Sequence, residues 1–288
     1  MTEQPISRPE IVHSLAGDVT DVQPAPSTAW QRIYGNGFAR KTVILCAIAL
    51  VWEVYARSLN NPLVFPAFSA TVLALFTGIG NGELPRAAVY TISLLLKGYA
   101  VGLGFAALLT ALASVSRLGA DFLETLTAMF NPLPSIALLP LAMIWFGLGE
   151  ASIIFVLVHA VLWAVALNTF GGFRGLSPTW RMVGQNYGLT GPKYIFLILI
   201  PGAFPSILTG LKVGWAFAWR TLVAAELVFG VSSGTGGLGW YIFEKKNQLF
   251  IPEVFAGLLT VIIFGLLIEN IVFKGIEHRT VKRWGMQH

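Results

Sequence analysis

ASIIFVLVHAVLWAVALNTF, residues 151–170, is a run of twenty residues without a single Asp, Glu, Lys or Arg. At about 1.5 Å of rise per residue, a helix of that length crosses the ~30 Å hydrocarbon core of a bilayer. Five more apolar stretches lie around it, at about 41–58, 88–114, 122–146, 203–230 and 252–274. Between the first two, Pro62 and Pro66 precede a shorter apolar piece, Ala67 to Ile79, which reads as interfacial or re-entrant. Helices are the expected conformation, because open strands in lipid leave backbone groups unpaired and no barrel-like alternation is visible. Over the whole chain 55% of residues are hydrophobic, 11% are charged and the mean hydropathy is +0.71. Soluble domains carry about 25% charged residues, so too few polar groups exist here to cover a water-facing surface. The expected fold class is an all-α, polytopic membrane protein with about six transmembrane helices.

Residues 1–38 are polar, contain Pro5, Pro9, Pro24 and Pro26, and are expected to form a flexible tail without a secretory apolar region. The formal net charge of +5 does not point to nucleic acid, because the basic residues gather at the ends of apolar segments. With six spans both termini share a side. That side holds Arg8, Arg32, Arg40, Lys41, Arg117, Arg174, Arg181, Lys193, Lys274, Arg279, Lys282 and Arg283, against Arg57, Arg86, Lys245 and Lys246 opposite. Positive charge stays in the cytoplasm, so both termini are expected there. The single cysteine, Cys46, lies in an apolar run and offers neither a disulfide framework nor a cysteine metal cluster.

The longest polar connection, Gly171 to Tyr194, contains GLSPTWRMVGQNYGLTGPKY (175–194). Ser177 is placed to cap a helix with Pro178 at its first position, and Gly188 or Gly191 with Pro192 to end it, so a helix of about ten residues is expected outside the membrane. The segment resembles the cytoplasmic signature of permeases of binding-protein-dependent ABC importers, which reads EAA, three residues, Gly, nine residues, I-x-L-P. Counting back from Pro201, Ile198 and Gly188 stand at the expected offsets, whereas the EAA positions are Met182, Val183 and Gly184, without the glutamate. PLPSIALLPLAMIWFGLGEAS (132–152), PGAFPSILTGLKVGWAFAWRTLVAAEL (201–227) and GTGGLGWYIFEKKNQLFIPEVFAGLL (234–259) resemble the nitrate, sulfonate, taurine and bicarbonate branch of those permeases, over roughly residues 60–280.

The resemblance implies a type I ABC importer permease fold in a bacterial inner membrane. It also implies a homodimer, two cytoplasmic ABC ATPase subunits docked on Met182, Val183, Gly184, Gln185, Asn186, Tyr187, Gly188 and Leu189, and an extracytoplasmic solute-binding protein. The chain contains no G-x-x-x-x-G-K-[ST] phosphate loop, so ATP and Mg are expected in the partner ATPase and no cofactor in this chain. The expected organisation is a tail to 38, a first span with an external segment over 39–85, a permease core over 86–280 with a coupling helix near 176–190, and a cytoplasmic C-terminus over 281–288.

Ionisable groups inside a span cost roughly 2.5–3.5 kcal/mol each on insertion scales, so each needs a partner or a water-filled path. Lys97, Lys212 and Arg220 qualify, and a positive lining suits an anion. Their alternative is structural pairing or snorkelling. Lys212, Trp215, Trp219, Leu222 and Glu226 recur at three- and four-residue steps and form one stripe, with Arg220 on a neighbouring face. A carboxylate in an anion path repels cargo, so Glu226 is given a gating or structural role, in which it holds the outer gate or pairs with a cation. Pro132, Pro134 and Pro140 are expected to interrupt and kink the third span. His159 reads as a residue satisfied by a neighbouring helix, and with no second ligand at metal spacing no metal site is expected. Gly234, Gly236, Gly237 and Gly239 form an external glycine-rich turn.

The leading reading is therefore a non-catalytic permease subunit for a small anion of the sulfonate, taurine, nitrate, bicarbonate or carboxylate type. Lys97 and the aromatic stripe favour an organic anion over nitrate. A secondary transporter or channel without an ATPase is the alternative, and it calls for inverted repeats and paired charges at mid-membrane, which the sequence does not show. An intramembrane enzyme calls for a catalytic constellation that is equally missing.

Overall fold

A computed structural model describes residues 35–229 and 236–283; the first 34 residues of the expected tail, Gly234 of the glycine-rich turn and residues 284–288 lie outside the described residues. All regular structure among the described residues is helical. The chain divides into two compact units, Met1–Val51 and Trp52–His288. The described part of the first unit is the beginning of α1 (Gly37–Leu59), with Val43, Ile44, Leu45 and Ile48 all exposed, the surface a lipid-facing span presents.

The second unit holds the end of α1 and the remaining helices. They are α2 (Phe68–Gly80), α3 (Glu83–Val115), α4 (Arg117–Phe130), α5 (Ser135–Phe146) and α6 (Glu150–Arg174). They continue with α7 (Pro178–Asn186), α8 (Gly191–Gly202), α9 (Phe204–Phe229), α10 (Leu238–Asn247) and α11 (Ile251–Arg279). Four helices, α1, α3, α6 and α11, are individually long and apolar enough to cross a bilayer. The other two expected spans are bent pairs, α4 with α5 at 87° and α8 with α9 at 78°.

The expected third span, 122–146, is therefore not one kinked helix but two helices broken over residues 131–134. Pro132 and Pro134, which have no amide to donate, occupy the break, and a 3-10 turn over Ser135–Leu138 restarts the chain. Pro140 corrects the expectation differently. It lies in the first turn of the helix Leu139–Phe146, where an amide has no intrahelical partner to lose, so it starts a helix and bends none. Ser152, fully buried, closes the turn that follows by donating to the carbonyl of Gly147 at 2.6 Å. α2 has thirteen residues, too few to span, in keeping with the short apolar piece read from the sequence.

The buried centre is α6. Val156, Leu157, Val161 and Ala166 are fully buried, and α3 and α9 lie along it. The approach is close because glycines face it. A Cβ on Gly98 or Gly102 of α3 would stand 2.7 or 2.8 Å from Leu157 or Val161, and one on Gly210 of α9 would stand 2.8 Å from Asn168 Cβ. In lipid, where apolar side chains gain nothing by leaving the solvent, such small-residue contacts supply the packing between helices.

Gly98→Val is expected to cost about 1–3 kcal/mol through overpacking and to lower the melting temperature of the detergent-solubilised chain. Gly104→Ala, at a position with nothing within 4 Å of the added carbon, serves as the silent control. Equal melting of the two variants would contradict the packing described.

Candidate functional site

Three sites carry polar chemistry. The first is α7, at the end of the spans that holds Arg174. Its nine residues begin at Pro178 after Ser177, as the sequence reading placed them, although the Ser177 side chain makes no capping bond. It ends on Gly188, at φ +61°, a left-handed conformation that strains any β-branched residue. The amide of Gly188 donates to Gln185 and that of Leu189 to Gly184, each at 2.9 Å, the pair of bonds that closes a Schellman motif. Gly184 is buried because the ring of Tyr194 and the side chain of Ile198 rest on it, and a Cβ there would meet Tyr194 at 2.6 Å. Arg181 ties α7 to the end of α6 by donating to the carbonyl of Arg174 at 3.0 Å, and Arg174 pairs with Glu124 of α4. Met182, Val183 and Tyr187 point outward, Tyr187 with 79% of its surface exposed.

The second site lies at the opposite end of α9. Glu226 is 3% exposed, and both its oxygens lie within reach of the Thr91 hydroxyl, at 2.8 and 3.0 Å. Its Oε2 also accepts from the amide of Gly239 at 2.9 Å, while Thr91 Oγ1 accepts from the amide of Leu238 at 2.8 Å. The two side chains thus satisfy the first amides of α10 from neighbouring helices, a cap supplied in trans. Among the described residues its partners are a hydroxyl and an amide, so of the two roles read from sequence the pairing with a cation is not seen. Gly237 and Gly239 are required by this contact, since a Cβ on either would strike Glu226. Lys245, at the end of α10, pairs with Glu83 at 3.0 Å, and a groove of about 790 Å³ opens beside Arg86, Tyr90 and Trp240.

The third site is inside the membrane-embedded part. Lys97 meets Glu150 at 2.8 Å and Lys212 meets Glu277 at 2.5 Å. Trp215 packs edge-on against Tyr99 and Phe273, so this part of the aromatic stripe is helix packing. Arg220 is different. It borders a cavity of about 390 Å³ formed by the break after α4, the middle of α6 and the face of α9 that includes Thr221. It also borders a smaller one of about 220 Å³ that Lys212, Trp215 and Trp219 share.

The sequence-derived path residues therefore separate into two ion-paired lysines, two tryptophans beside the smaller cavity and one arginine at the larger. Sequence reasoning missed the polar partners. Glu150 and Glu277 lie 53 and 65 residues from their lysines, and Ser135 meets the Nδ1 of His159 at 3.1 Å across two helices. No local spacing encodes such pairs.

Residues 98–284 match the family described as binding-protein-dependent transport system inner membrane component. A putative ABC transporter permease protein of Methanocaldococcus jannaschii is 32% identical, over 79% of this chain and 86% of its own. The taurine transport system permease protein of Escherichia coli is 30% identical over 76% of this chain and 80% of its own. The nitrate import permease protein of a Synechocystis species is 29% identical over 83% and 88%.

Thr91→Val keeps the volume and removes the hydroxyl, leaving the Leu238 amide without its acceptor, a loss of about 1–3 kcal/mol. Hydrogen exchange at the start of α10 is expected to accelerate about tenfold or more. Unchanged exchange there would contradict the trans cap.

Proposed function

The chain belongs to the family of binding-protein-dependent transport system inner membrane components, in the branch of nitrate, sulfonate, taurine and bicarbonate permeases, and from that premise we propose that it is the membrane subunit of an ATP-driven anion importer. Two copies form the translocation path. Two cytoplasmic ATPase subunits, which bind ATP and Mg, dock on α7, and an extracytoplasmic solute-binding protein delivers cargo to the groove beside α10. This chain performs no catalysis. Both termini face the cytoplasm of a bacterial inner membrane, residues 86–280 form the permease core, and the cargo is a small sulfonate, taurine, nitrate, bicarbonate or carboxylate-type anion.

The observation that carries this reading is the construction of α7. A helix too short to span is fixed at both ends, by Arg181 on the α6 carbonyls and by the Gly188 closure. It leans on α8 through Gly184 and leaves Met182, Val183 and Tyr187 uncovered. A push on that face passes through Tyr194 and Ile198 into α8 and, across the 78° bend, into α9. ATP then shifts the population between two arrangements of the spans by its differential affinity for one of them. Where the family signature carries a glutamate this chain has Met182, so docking here rests on apolar contact and changes little with salt.

Purification in mild detergent from native membranes should retain a P-loop ATPase at one copy per permease; recovery of the chain alone, with transport preserved in liposomes, would favour a self-sufficient transporter instead. Gly188→Val places a β-branched residue at positive φ, at about 1–2 kcal/mol, and is expected to release the ATPase or leave its hydrolysis unable to drive uptake. Normal uptake by this variant would argue against the lever.

A further inference from the structure

The 390 Å³ cavity has a composition that selects a charge. Its polar lining is Asn131, Ser135, His159, Trp163, Arg220 and Thr221, with no carboxylate among the described residues. Arg220 stands sixteen residues from Phe204 along α9, and His159 fifteen from Arg174 along α6. At helical rise these are roughly 24 and 23 Å from those ends and about 14 Å from the opposite ends, Phe229 and Glu150, so both residues lie within the spans.

Three observations concern unmet hydrogen-bonding capacity. Lys97 and Lys212 have carboxylate partners, whereas Arg220 has neither an ion pair nor a hydrogen bond among the described residues. Glu226, six residues further on the same helix, is committed to Thr91 and Gly239, and Glu269, across the smaller cavity, makes no ion pair with Arg220. Trp163 is 7% exposed and its indole Nε1 has no acceptor. Nε2 of His159 is likewise buried and unpartnered, while its Nδ1 faces the Ser135 hydroxyl. The Trp163 indole nitrogen is a donor in every state, and His159 Nε2 is one in the tautomer whose Nδ1 accepts from the Ser135 hydroxyl. Buried donors without acceptors are rare, and a charge inside a span without a partner marks a path or a site.

We propose that this cavity is a transit site for a small oxyanion, with Arg220 as its charge partner, exposed Asn131 and half-buried Ser135 as hydrogen-bonding groups, and Trp163 and His159 as a buried reserve of such groups. The latter two nitrogens are buried in this conformation, with the ring of Phe130 stacked on Trp163 at 5.4 Å and edge-on to His159. Sulfonates, carboxylates and nitrate all bring the acceptors and the negative charge that this lining lacks. The proposal rests on the importer reading for its direction of transport, but the charge preference of the cavity belongs to this chain alone.

The test uses the full chain in nanodiscs, with Cys46→Ser removing the native thiol and Thr221→Cys placing one in the cavity wall. Labelling rates are compared for sulfonatoethyl methanethiosulfonate, an anion, and its trimethylammonium counterpart. The anion is expected to react faster, and Arg220→Gln is expected to reduce the anion-to-cation ratio at least about fivefold, the effect of one charge at ~4 Å even at the dielectric of water. Arg220→Lys should restore part of it. Millimolar methanesulfonate should slow labelling only when Arg220 is present. A cation that labels as fast as the anion, or a ratio unmoved by Arg220→Gln in a monodisperse variant, would overturn the site and identify the cavity as a water-filled packing defect. No ATPase is needed for this measurement, so that outcome leaves the importer reading standing. Recovery of the chain alone with transport preserved in liposomes would sink the importer reading while leaving the cavity's preference intact.

Discussion

The contact of α6 with α3 and α9, glycine against Leu157, Val161 and Asn168, fixes where every polar group in the bundle can lie. With the backbones so near, buried apolar side chains fill most of the space between these helices. The ionisable residues of the spans are displaced to the ends of this contact or to its margin. Lys97 and Glu150 meet at one end, Lys212 and Glu277 at the other, and Arg220 faces the opening left where the third span breaks. In a low-dielectric surround a charge needs a partner or a wet path, and the bundle supplies partners to the two lysines.

The same contact makes α9 a lever arm. At one end it turns through 78° into α8, on which α7 leans, and at the other Glu226 holds the first amides of α10. Under the proposed coupling, motion imposed on α7 would reach the groove beside Glu83 and Lys245 through two contacts made by glycine, Gly184 under Tyr194 and Gly239 against Glu226. In both places a larger residue would separate the elements. Glu226 caps α10 and is not among the residues that line the cavity at Arg220.

Much of the fold was legible because bilayer physics is written in long apolar runs. The spans over 151–170 and 252–274 fall inside α6 and α11, and the Ser177–Pro178 and Gly188 signals bracket α7. Signals that depend on position within a helix were read less well. Pro140 looks like Pro132 in a sequence, and only the restart of the chain at Ser135 places it in a harmless first turn. The partners of Lys97, Lys212 and Glu226 were illegible, since their separations in sequence run from 13 to 135 residues. His159, expected to be satisfied by a neighbouring helix, meets Ser135 through Nδ1, while its sharing of a cavity with Arg220 exists only in three dimensions.

If an ATPase working on α7 drives transport, the purified chain reconstituted in proteoliposomes, with and without its ATPase and binding-protein partners, will show it in the entry of radiolabelled taurine, methanesulfonate and nitrate. Accumulation of at least one of these anions is expected only when ATP and both partners are present. Equal uptake by the chain alone, insensitive to ATP, would contradict it.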